Sequence, residues 1–280
     1  MPIKGSKDGL QGNSQLGKKT EPLVTVAKVK EIYLFGLDIR DKNADKELPD
    51  SAYQQYIDNA VSMLEHYLDI SITPVTNYEE FQDYNRNDYM NYGYMSLNNY
   101  PVIQINSMEM VYFRDSDGEP EVAQEIPLSW IRLTSHDGIM RLLPNNRFPS
   151  KLQLDATGSF FPQIFNSSNA PHLWRINYDF GFCEGQIPVM LNNVIGQLAA
   201  IQALVVGGNL VLGAGIASSS ISLDGLSESI ATTQSAENSA YSATIKDYSD
   251  KLFGKRDGDP HALLTILRTF YKSSHELNLI

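Results

Sequence analysis

The chain has 280 residues, of which 42% are hydrophobic and 20% charged, a balance typical of a folded globular protein and not of a disordered one. Six basic and two acidic residues precede Glu31, so that part carries +4, and the rest of the chain carries −15. Proteins that grip nucleic acid normally present a basic face, because neutralised phosphates supply most of the non-specific affinity. The acidic body therefore argues against a DNA-gripping protein, but it is compatible with DNA sliding through an acidic channel.

Cysteine content and the terminal segment restrict the protein further. The single cysteine, Cys183, excludes an internal disulfide and a cysteine-based zinc site. Residues 1–22 have no apolar run, so no secretory signal is expected, and their Gly, Ser, Lys and Gln content predicts a flexible basic arm. Gly185–Leu223 is uncharged, but several amide side chains and the Gly207-Gly208 pair interrupt it. We expect a buried helix there and no membrane span.

Two helices are predicted in the N-terminal part of the chain. Thr25 is a favourable N-cap for a short helix at 25–35. A second helix, at 50–68, begins with Ser51 and Gln54 at capping-box spacing. It carries a long apolar stripe at helical spacing, made of Tyr53, Tyr56, Ile57, Ala60, Val61, Leu64, Tyr67 and Leu68.

The middle of the chain is predicted to consist mainly of strands. Residues 77–95 are rich in Tyr and Asn without a clean period, which predicts an irregular, partly exposed loop that is either an interface or ordinary surface. Strand patterns separated by turn residues follow at 102–113, 126–133, 139–143, 150–156 and 171–180. The predicted fold class is therefore α+β, with N-terminal helices, an inserted antiparallel β unit at about 95–180, and long C-terminal helices.

The stretch Trp174–Val206 is predicted to be a strand, a glycine turn and a helix in succession. Apolar residues occupy every second position of the strand, and Pro188 suits the first turn of a helix at 188–206. One side of that helix is an apolar stripe, made of Leu191, Val194, Ile195, Leu198, Ile201 and Val205. Small residues on the other side predict close packing against another helix or another subunit: Gly196, Ala199, Ala200, Ala203 and Gly207.

The C-terminal third changes in texture after Val206. Gly and Ser dominate residues 207–226, which predicts a flexible excursion, and a further helix is expected at 227–252. Asp259-Pro260 then opens a last short helix. Its apolar positions are Leu263, Ile266, Leu267 and Phe270.

Two blocks of this sequence, taken in order, resemble a known family. The first contains Ile176-Asn177-Tyr178-Asp179-Phe180-Gly181, then Ile187-Pro188, then the helix that runs on from Val189. A strand ending in aromatic-x-aromatic-Gly, a short turn, Ile-Pro and a helix rich in small residues resembles the C-terminal half of head-tail connector (adaptor) proteins of tailed bacteriophages.

The second block precedes the first. Asp50–Pro74 is a helix rich in Tyr and Ala that ends in Leu68-Asp69-Ile70-Ser71-Ile72-Thr73-Pro74, and Leu97–Val111 contains Tyr100-Pro101-Val102-Ile103. These segments look like that family's N-terminal helix and first strands. The two blocks together cover about half of the chain, and neither contains a catalytic signature.

The resemblance implies a structural virion protein, made in the host cytoplasm and located in the neck of the particle. It implies a connector domain at 23–252 and a ring of about twelve copies below the portal, joined to a tail or tail-completion protein. DNA would pass through the centre without sequence-specific binding, and no membrane is involved. Because the resembling adaptors engage the portal through their C-terminal parts, residues 253–280 are expected to be a docking arm that uses Leu263, Ile266, Leu267 and Phe270.

No linear motif for chemistry is present, so no catalytic, cofactor-binding or metal-binding residue is predicted. The histidines are scattered without metal-ligand spacing: His66, His136, His172, His261 and His275. The acidic cluster Asp115–Glu121 is better explained as a charged hairpin turn than as a calcium loop. The alternative function is a virion-associated hydrolase whose site is assembled from distant residues such as His136, Asp137 and Asp155.

Overall fold

The computed structural model describes residues 3–4, 19–37, 39–41, 46–85, 94–113, 120–143, 169–212, 218–223, 226–231, 241–256 and 259–276. The chain forms two compact units. The first comprises Met1–Gly17 and Ile70–Glu184, and the second comprises Lys18–Asp69 and Gly185–Ile280. Strands dominate the first unit and helices the second, in agreement with the predicted α+β class.

The elements are numbered in chain order. The strands are β1 (Ile3–Lys4), β2 (Thr20–Glu21), β3 (Arg40–Asp41), β4 (Lys46–Glu47), β5 (Val75–Asn85), β6 (Tyr94–Ser96), β7 (Val102–Phe113), β8 (Pro120–Glu125), β9 (Ile131–Thr134), β10 (Ile139–Leu142), β11 (Asn169–Phe180), β12 (Ile187–Pro188), β13 (Ser218–Leu223) and β14 (Leu226–Ala231). The helices are α1 (Val26–Lys28, continued by a π-helical segment at Val29–Tyr33), α2 (Asp50–Leu68), α3 (Val189–Leu212), α4 (Ser242–Phe253) and α5 (Leu263–Glu276).

The first unit is built on two antiparallel sheets. The larger has the order β1-β7-β11-β5, with β8 also paired to β7, and the smaller has the order β6-β10-β9. Residues of β11 alternate as predicted, so that Trp174, Ile176 and Tyr178 are buried in the core. The opposite face of β11 carries Arg175, Asn177 and Asp179, and this polar face lies outside the core.

Strand β5 corrects the loop predicted at 77–95. Val75–Asn85 pairs antiparallel with β11, and only 86–93 of the predicted loop lie outside the described residues. The first five residues of β5 are exposed on both faces, so apolar and polar residues do not alternate there as they do in a strand with one buried face. Pairing with a buried strand nearly one hundred residues away is what makes this segment a strand.

Other strand predictions of the first unit have mixed outcomes. The strands at 102–113, 139–143 and 171–180 are confirmed to within two residues. The one predicted at 126–133 begins only at Ile131, after a 3₁₀ turn at Leu128–Trp130. The predicted strand at 150–156 lies outside the described residues, as does most of the charged turn before β8.

Helix α2 has the predicted bounds but not the predicted cap. It begins after Pro49 with no side-chain cap, so the capping box of Ser51 and Gln54 does not form. The Gln54 amide instead donates to Asp58 at 2.8 Å, and the first helical residue, Asp50, forms an ion pair with Lys30 at 2.5 Å. An acidic residue in the first turn is favourable there because of the helix dipole.

The N-terminal segment contains paired strands where a flexible arm was expected. The backbone of β2 pairs with β12, and that of β1 pairs with β7 at Gln104 and Ile105. Residues 5–18 lie outside the described part of the chain. The Thr25 cap is confirmed, because its Oγ1 accepts the Lys28 backbone N–H at 3.3 Å.

The C-terminal third differs most from the sequence prediction. Helix α3 continues to Leu212 instead of ending at Val206, and the helix expected at 227–252 begins only at Ser242. Between them β13 and β14 form a hairpin, within the segment expected to be a flexible excursion and the start of a helix. The competing signal is Asp224-Gly225 between alternating residues, a strong hairpin pattern that the prediction overlooked.

Within α3, Val189–Gly208 is long and apolar enough to cross a membrane by length and composition alone. However, 56% of that window is buried inside the structure, as in a core helix. The helix is therefore weak support for a membrane span.

Candidate assembly surfaces

Parts of both blocks that carry the family resemblance meet in the first unit. The Ser71 backbone N–H donates to the Tyr100 carbonyl at 2.9 Å, and the Gly181 N–H donates to the Pro101 carbonyl at 2.8 Å. The Phe182 N–H donates to the Ile72 carbonyl at 3.2 Å. Three segments that are far apart in the sequence therefore form one hydrogen-bonded junction, where the chain enters the first unit at Ile70 and leaves it at Glu184.

Gly181 is the tightest point of this junction. Its φ of +95° lies in a region that side chains disfavour. A Cβ at this position would lie 2.8 Å from the Pro74 Cα and would also overlap the Thr73 carbonyl. The glycine that ends the aromatic-x-aromatic-Gly motif is thus required both by its conformation and by the close approach of another backbone.

A polar cluster covers the outer face of the larger sheet. Asp179 is only 7% exposed, and its Oδ1 accepts the Asn77 backbone N–H at 2.8 Å and the Asn106 amide at 2.7 Å. Its Oδ2 accepts the Gln104 amide at 2.6 Å. Asn77 has a φ of +56°, so the carboxylate also secures an irregularity in edge strand β5.

The same contacts control the ionisation of Asp179. Burial alone would raise the pKa of the carboxyl group, but the hydrogen bonds from Asn77, Asn106 and Gln104 outweigh burial and lower the pKa. The native unit therefore favours the charged carboxylate. The charged Asp179 carboxylate contributes its full stabilisation when the pH is above the pKa that this carboxyl group has in the unfolded chain. The contribution is lost as the pH falls through the lower pKa that the group has in the folded unit.

We expect Asp179→Asn to lower the free energy of unfolding by about 1.5 to 3 kcal/mol at pH 7, since the neutral amide loses charge-assisted hydrogen bonds. The difference from wild type should shrink as the pH falls below about 4, where the unfolded wild-type carboxyl group also binds a proton. Chemical denaturation at a series of pH values measures this difference. Glu79→Gln, an exposed neighbour on β5, is the matched control and should have little effect; an equal deficit for Asp179→Asn at pH 7 and pH 3 would contradict the assignment.

A second carboxylate lies on the core face of the same sheet. Glu80 is 5% exposed and accepts hydrogen bonds from the Tyr178 hydroxyl, the Gln82 amide and the Asn98 backbone N–H. Burial and the contact with Glu80 raise the pKa of Tyr178. Because these donors come from the protein itself, Glu80 serves to anchor the segment at Asn98 to β5.

The small residues of α3 pack against the N-terminal segment of the same unit. A Cβ on Gly196 would lie 2.8 Å from the Tyr33 hydroxyl oxygen, and one on Gly207 would lie 2.5 Å from the Ile39 Cγ2. The alanines predicted to share this role are buried: Ala199, Ala200 and Ala203. The two glycines therefore lie against Tyr33 and Ile39 of the same chain.

Two asparagines near the start of α3, for which the sequence predicted no role beyond interrupting an uncharged stretch, hold the N-terminal segment to this helix. Asn192 is 1% exposed; its Oδ1 accepts the Val24 N–H at 2.8 Å, and its Nδ2 donates to the Pro22 carbonyl at 2.8 Å and to Glu21 at 2.7 Å. Asn193 accepts the Tyr33 hydroxyl at 2.9 Å. Two adjacent amides near the start of a helix without charged residues are the sequence signal that points to such a role.

The C-terminal helix, predicted to be a docking arm, packs within the second unit. Leu267 is fully buried, whereas Leu263, Ile266 and Phe270 are only half-buried. Helix α5 contacts α2, α3 and α4, and the Arg268 guanidinium lies 5.5 Å from the Tyr67 ring centroid. One side of the helix therefore belongs to the core of its own unit. The half-buried residues lie between that buried side and the exposed side of the helix.

Among the residues that the structure describes, the most exposed large apolar side chains lie at the end of the N-terminal helix. Phe35 is 83% exposed and Ile32 is 57% exposed. A cavity of about 320 Å³ lies in the same unit, lined by Lys30, Leu34, Gly36, Leu37, Ile39, Arg40, Glu47, Leu48 and Tyr53. Its cations are paired, Lys30 with Asp50 and Arg40 with Glu47, so the cavity offers no unpaired charge that marks a particular ligand.

The structure brings together only part of the hydrolase site. His136 and Asp137 lie in the turn between β9 and β10, and Asp155 lies outside the described residues. Burial lowers the pKa of His136, although the charge of Asp137 acts in the opposite direction. Among the residues that the structure describes, no group of three or more His, Cys, Asp and Glu side chains is placed to hold a metal ion.

Comparison with known proteins does not assign a family. No family model matches the chain, and no curated protein matches it. Among solved structures it resembles a chain from "Neck of empty GTA particle computed with C6 symmetry", with 15% identity over 71% of this chain and 82% of that chain, and a TM-score of 0.37. It also resembles one from "Virion of native gene transfer agent (GTA) particle", with 16% identity, coverage of 64% and 76%, and a TM-score of 0.34. At these TM-scores neither likeness carries an argument about fold or function.

Proposed function

We propose that this chain is a structural protein of the virion neck, which forms a ring below the portal, joins head to tail and lets DNA pass through its centre. The observation that carries the proposal is the junction of Ser71, Tyr100, Pro101 and Gly181. Residues from both blocks that resemble head-tail connectors contact one another there, through backbone hydrogen bonds and a glycine that no other residue can replace without strain. Motifs that meet in this way favour a shared structural role.

The charge of the chain suits a conduit. A net charge of −15 from Glu31 onward repels a polyanion, which would keep passing DNA mobile and weakly bound. The proposed neighbours are the portal above and a tail or tail-completion protein below.

The contact with the portal is proposed for the outer margin of α5. Leu263, Ile266 and Phe270 are half-buried, so part of their apolar surface stays available while Leu267 and Tyr271 anchor the helix to its own unit. Docking of this kind needs no rearrangement of the helix, because α5 is already folded before the partner arrives.

The proposal is tested by removing the gene for this chain from the genome that encodes the particle. We expect DNA-filled heads without tails, free tails and full recovery when the wild-type chain is supplied in trans. A tagged chain should be found at the head-tail boundary by antibody labelling and electron microscopy. Joined, infectious particles in the absence of the chain, or a label elsewhere on the particle, would overturn the proposal.

The same complementation distinguishes the hydrolase. His136→Gln should restore joined particles if the role is structural, since the substitution keeps a polar side chain of similar size. Failure of a folded His136→Gln protein to restore particles would favour the enzyme.

A further inference from the structure

The segment that ends the N-terminal helix presents two apolar side chains to solvent. Phe35 is 83% exposed and Ile32 is more than half exposed, although Tyr33 and Leu34 between them are buried. The π-helical part of α1 precedes Phe35, and the Leu34 N–H donates to the Val29 carbonyl at 3.1 Å. Because the buried neighbours and this hydrogen bond fix the backbone, the exposed pair is held in place before any partner binds.

The cavity of about 320 Å³ in the same unit is large enough for an aromatic side chain. Leu34 and Gly36, the residues on either side of Phe35 in the chain, both line this cavity, whereas Ile32 and Phe35 do not. The exposed pair and the cavity therefore lie on different sides of the same short segment. Since a cavity of about 150 Å³ is sufficient for benzene, this one has room for a phenylalanine ring.

The lining of the cavity also suits an aromatic ring. Lys30 and Arg40 both line it, and the Lys30 Nζ lies 4.8 Å from the centroid of the Tyr53 ring. A cation within about 6 Å of an aromatic ring attracts it, so a second ring in the cavity would be attracted by the same groups. Both cations keep their carboxylate partners, Asp50 and Glu47, so a neutral ring leaves no charge unpaired. Aliphatic side chains supply apolar contacts: Leu34, Leu37, Ile39 and Leu48.

We propose that Phe35 of one copy of this chain inserts into the cavity of the next copy, with Ile32 packed beside it. The inference rests on the proposed ring. A projecting side chain and a receiving cavity are two different surfaces, so the contact between them is heterologous, and repeated heterologous contacts can close into a ring. The occupant is a second copy because the chain carries both the exposed ring and a cavity that fits it. Each copy in the ring then gives one phenylalanine and receives one.

Substitution of Phe35 tests this contact by complementation of particles that lack the chain. Phe35→Asp should lower the yield of joined particles about tenfold or more, because a buried aromatic anchor carries much of the affinity of an interface. Phe35→Tyr keeps the ring and should restore the normal yield. Met63→Asp, at another exposed apolar residue of the second unit, is the matched control and should assemble like wild type. Circular dichroism of the purified variants checks that each is folded.

A pair of cysteine variants tests which residues meet. One chain carries Ile32→Cys, which leaves the Phe35 anchor in place, and a second chain with a different tag carries Leu48→Cys. Both are made in a Cys183→Ser background, so that each chain has a single thiol. After co-expression, a short bismaleimide should join the two chains into a mixed dimer in assembled particles. A chain with Met63→Cys in place of Ile32→Cys should form no such dimer with the Leu48→Cys chain.

The outcomes separate this inference from the proposed function. Loss of joining by Phe35→Asp together with the mixed dimer supports the contact. If the chain is located in the neck but Phe35→Asp assembles as well as Met63→Asp, or no mixed dimer forms, the contact is wrong and the neck assignment stands. Cross-linking of Ile32→Cys to the portal or to another particle protein instead would show that a second copy is not the occupant, which also overturns the inference. If the chain is absent from the neck, the proposed function fails, and the ring contact fails with it.

Discussion

Gly181→Ala should lower the free energy of unfolding of the first unit by about 2 to 4 kcal/mol. About 1 to 2 kcal/mol of this comes from placing a side chain at a positive φ, and the rest from overlap with a neighbouring backbone. Thr73 and Pro74 form that neighbouring backbone, and they follow directly on Ile72, whose carbonyl accepts the Phe182 N–H. Chemical denaturation monitored by tryptophan fluorescence measures the loss, since Trp130 and Trp174 both lie in this unit.

Gly185→Ala is the control for backbone conformation alone: Gly185, the first residue of the second unit, also has a positive φ, of +76°, but a Cβ at this position would meet no other atom within 4 Å. Because both tryptophans lie in the first unit, unfolding of this variant is followed by far-UV circular dichroism. This variant should lower the free energy of unfolding by only about 1 to 2 kcal/mol, the cost of placing a side chain at a positive φ. If the two variants are equally destabilised, close approach at Gly181 contributes nothing. If the junction is also essential for assembly, particles carrying Gly181→Ala should show far fewer joined heads and tails than those carrying Gly185→Ala.

Asn192→Ala should lower the free energy of unfolding of the second unit by about 2 to 4 kcal/mol. The substitution leaves the buried Val24 N–H without its acceptor, which costs about 1 to 3 kcal/mol, and it also removes the partly buried hydrogen bond to the Pro22 carbonyl. Hydrogen exchange at the Val24 amide should become faster, because this amide loses its acceptor. Thermal or chemical denaturation together with exchange measured by mass spectrometry tests both effects.

Asn193→Ala is the matched control. It removes the neighbouring amide, for which the structure gives one hydrogen bond, the partly buried one from the Tyr33 hydroxyl. Its cost should be about 0.5 to 1.5 kcal/mol, the usual net value of one hydrogen bond. A loss for Asn192→Ala no larger than that for Asn193→Ala would show that the N-terminal segment does not depend on the Asn192 contacts.

Some elements could be predicted from the sequence because their own residues carry the period of the structure. The bounds of α2 at 50–68 and the strand-turn-helix order around Gly181 followed from apolar residues repeating at helical or strand spacing, each element having one buried side. The hairpin of β13 and β14 could also have been predicted from the sequence. Its Asp-Gly connection and alternating residues were present in the sequence, but the Gly and Ser content was given more weight.

Tertiary structure alone decided the rest. Strand β5 has too little local periodicity, and its pairing with β11 depends on a partner nearly one hundred residues away. The spacing of Gly196 and Gly207 indicates close packing but cannot identify which residues pack there; in the structure Tyr33 and Ile39 lie against these two glycines. Asn192 is one of several amides in α3, and only the fold brings Val24 and Pro22 to its side chain. In each case the sequence shows the property of one residue or segment, such as a small side chain or an amide. Its partner is far away in the sequence, so that only the packing of the whole chain determines it.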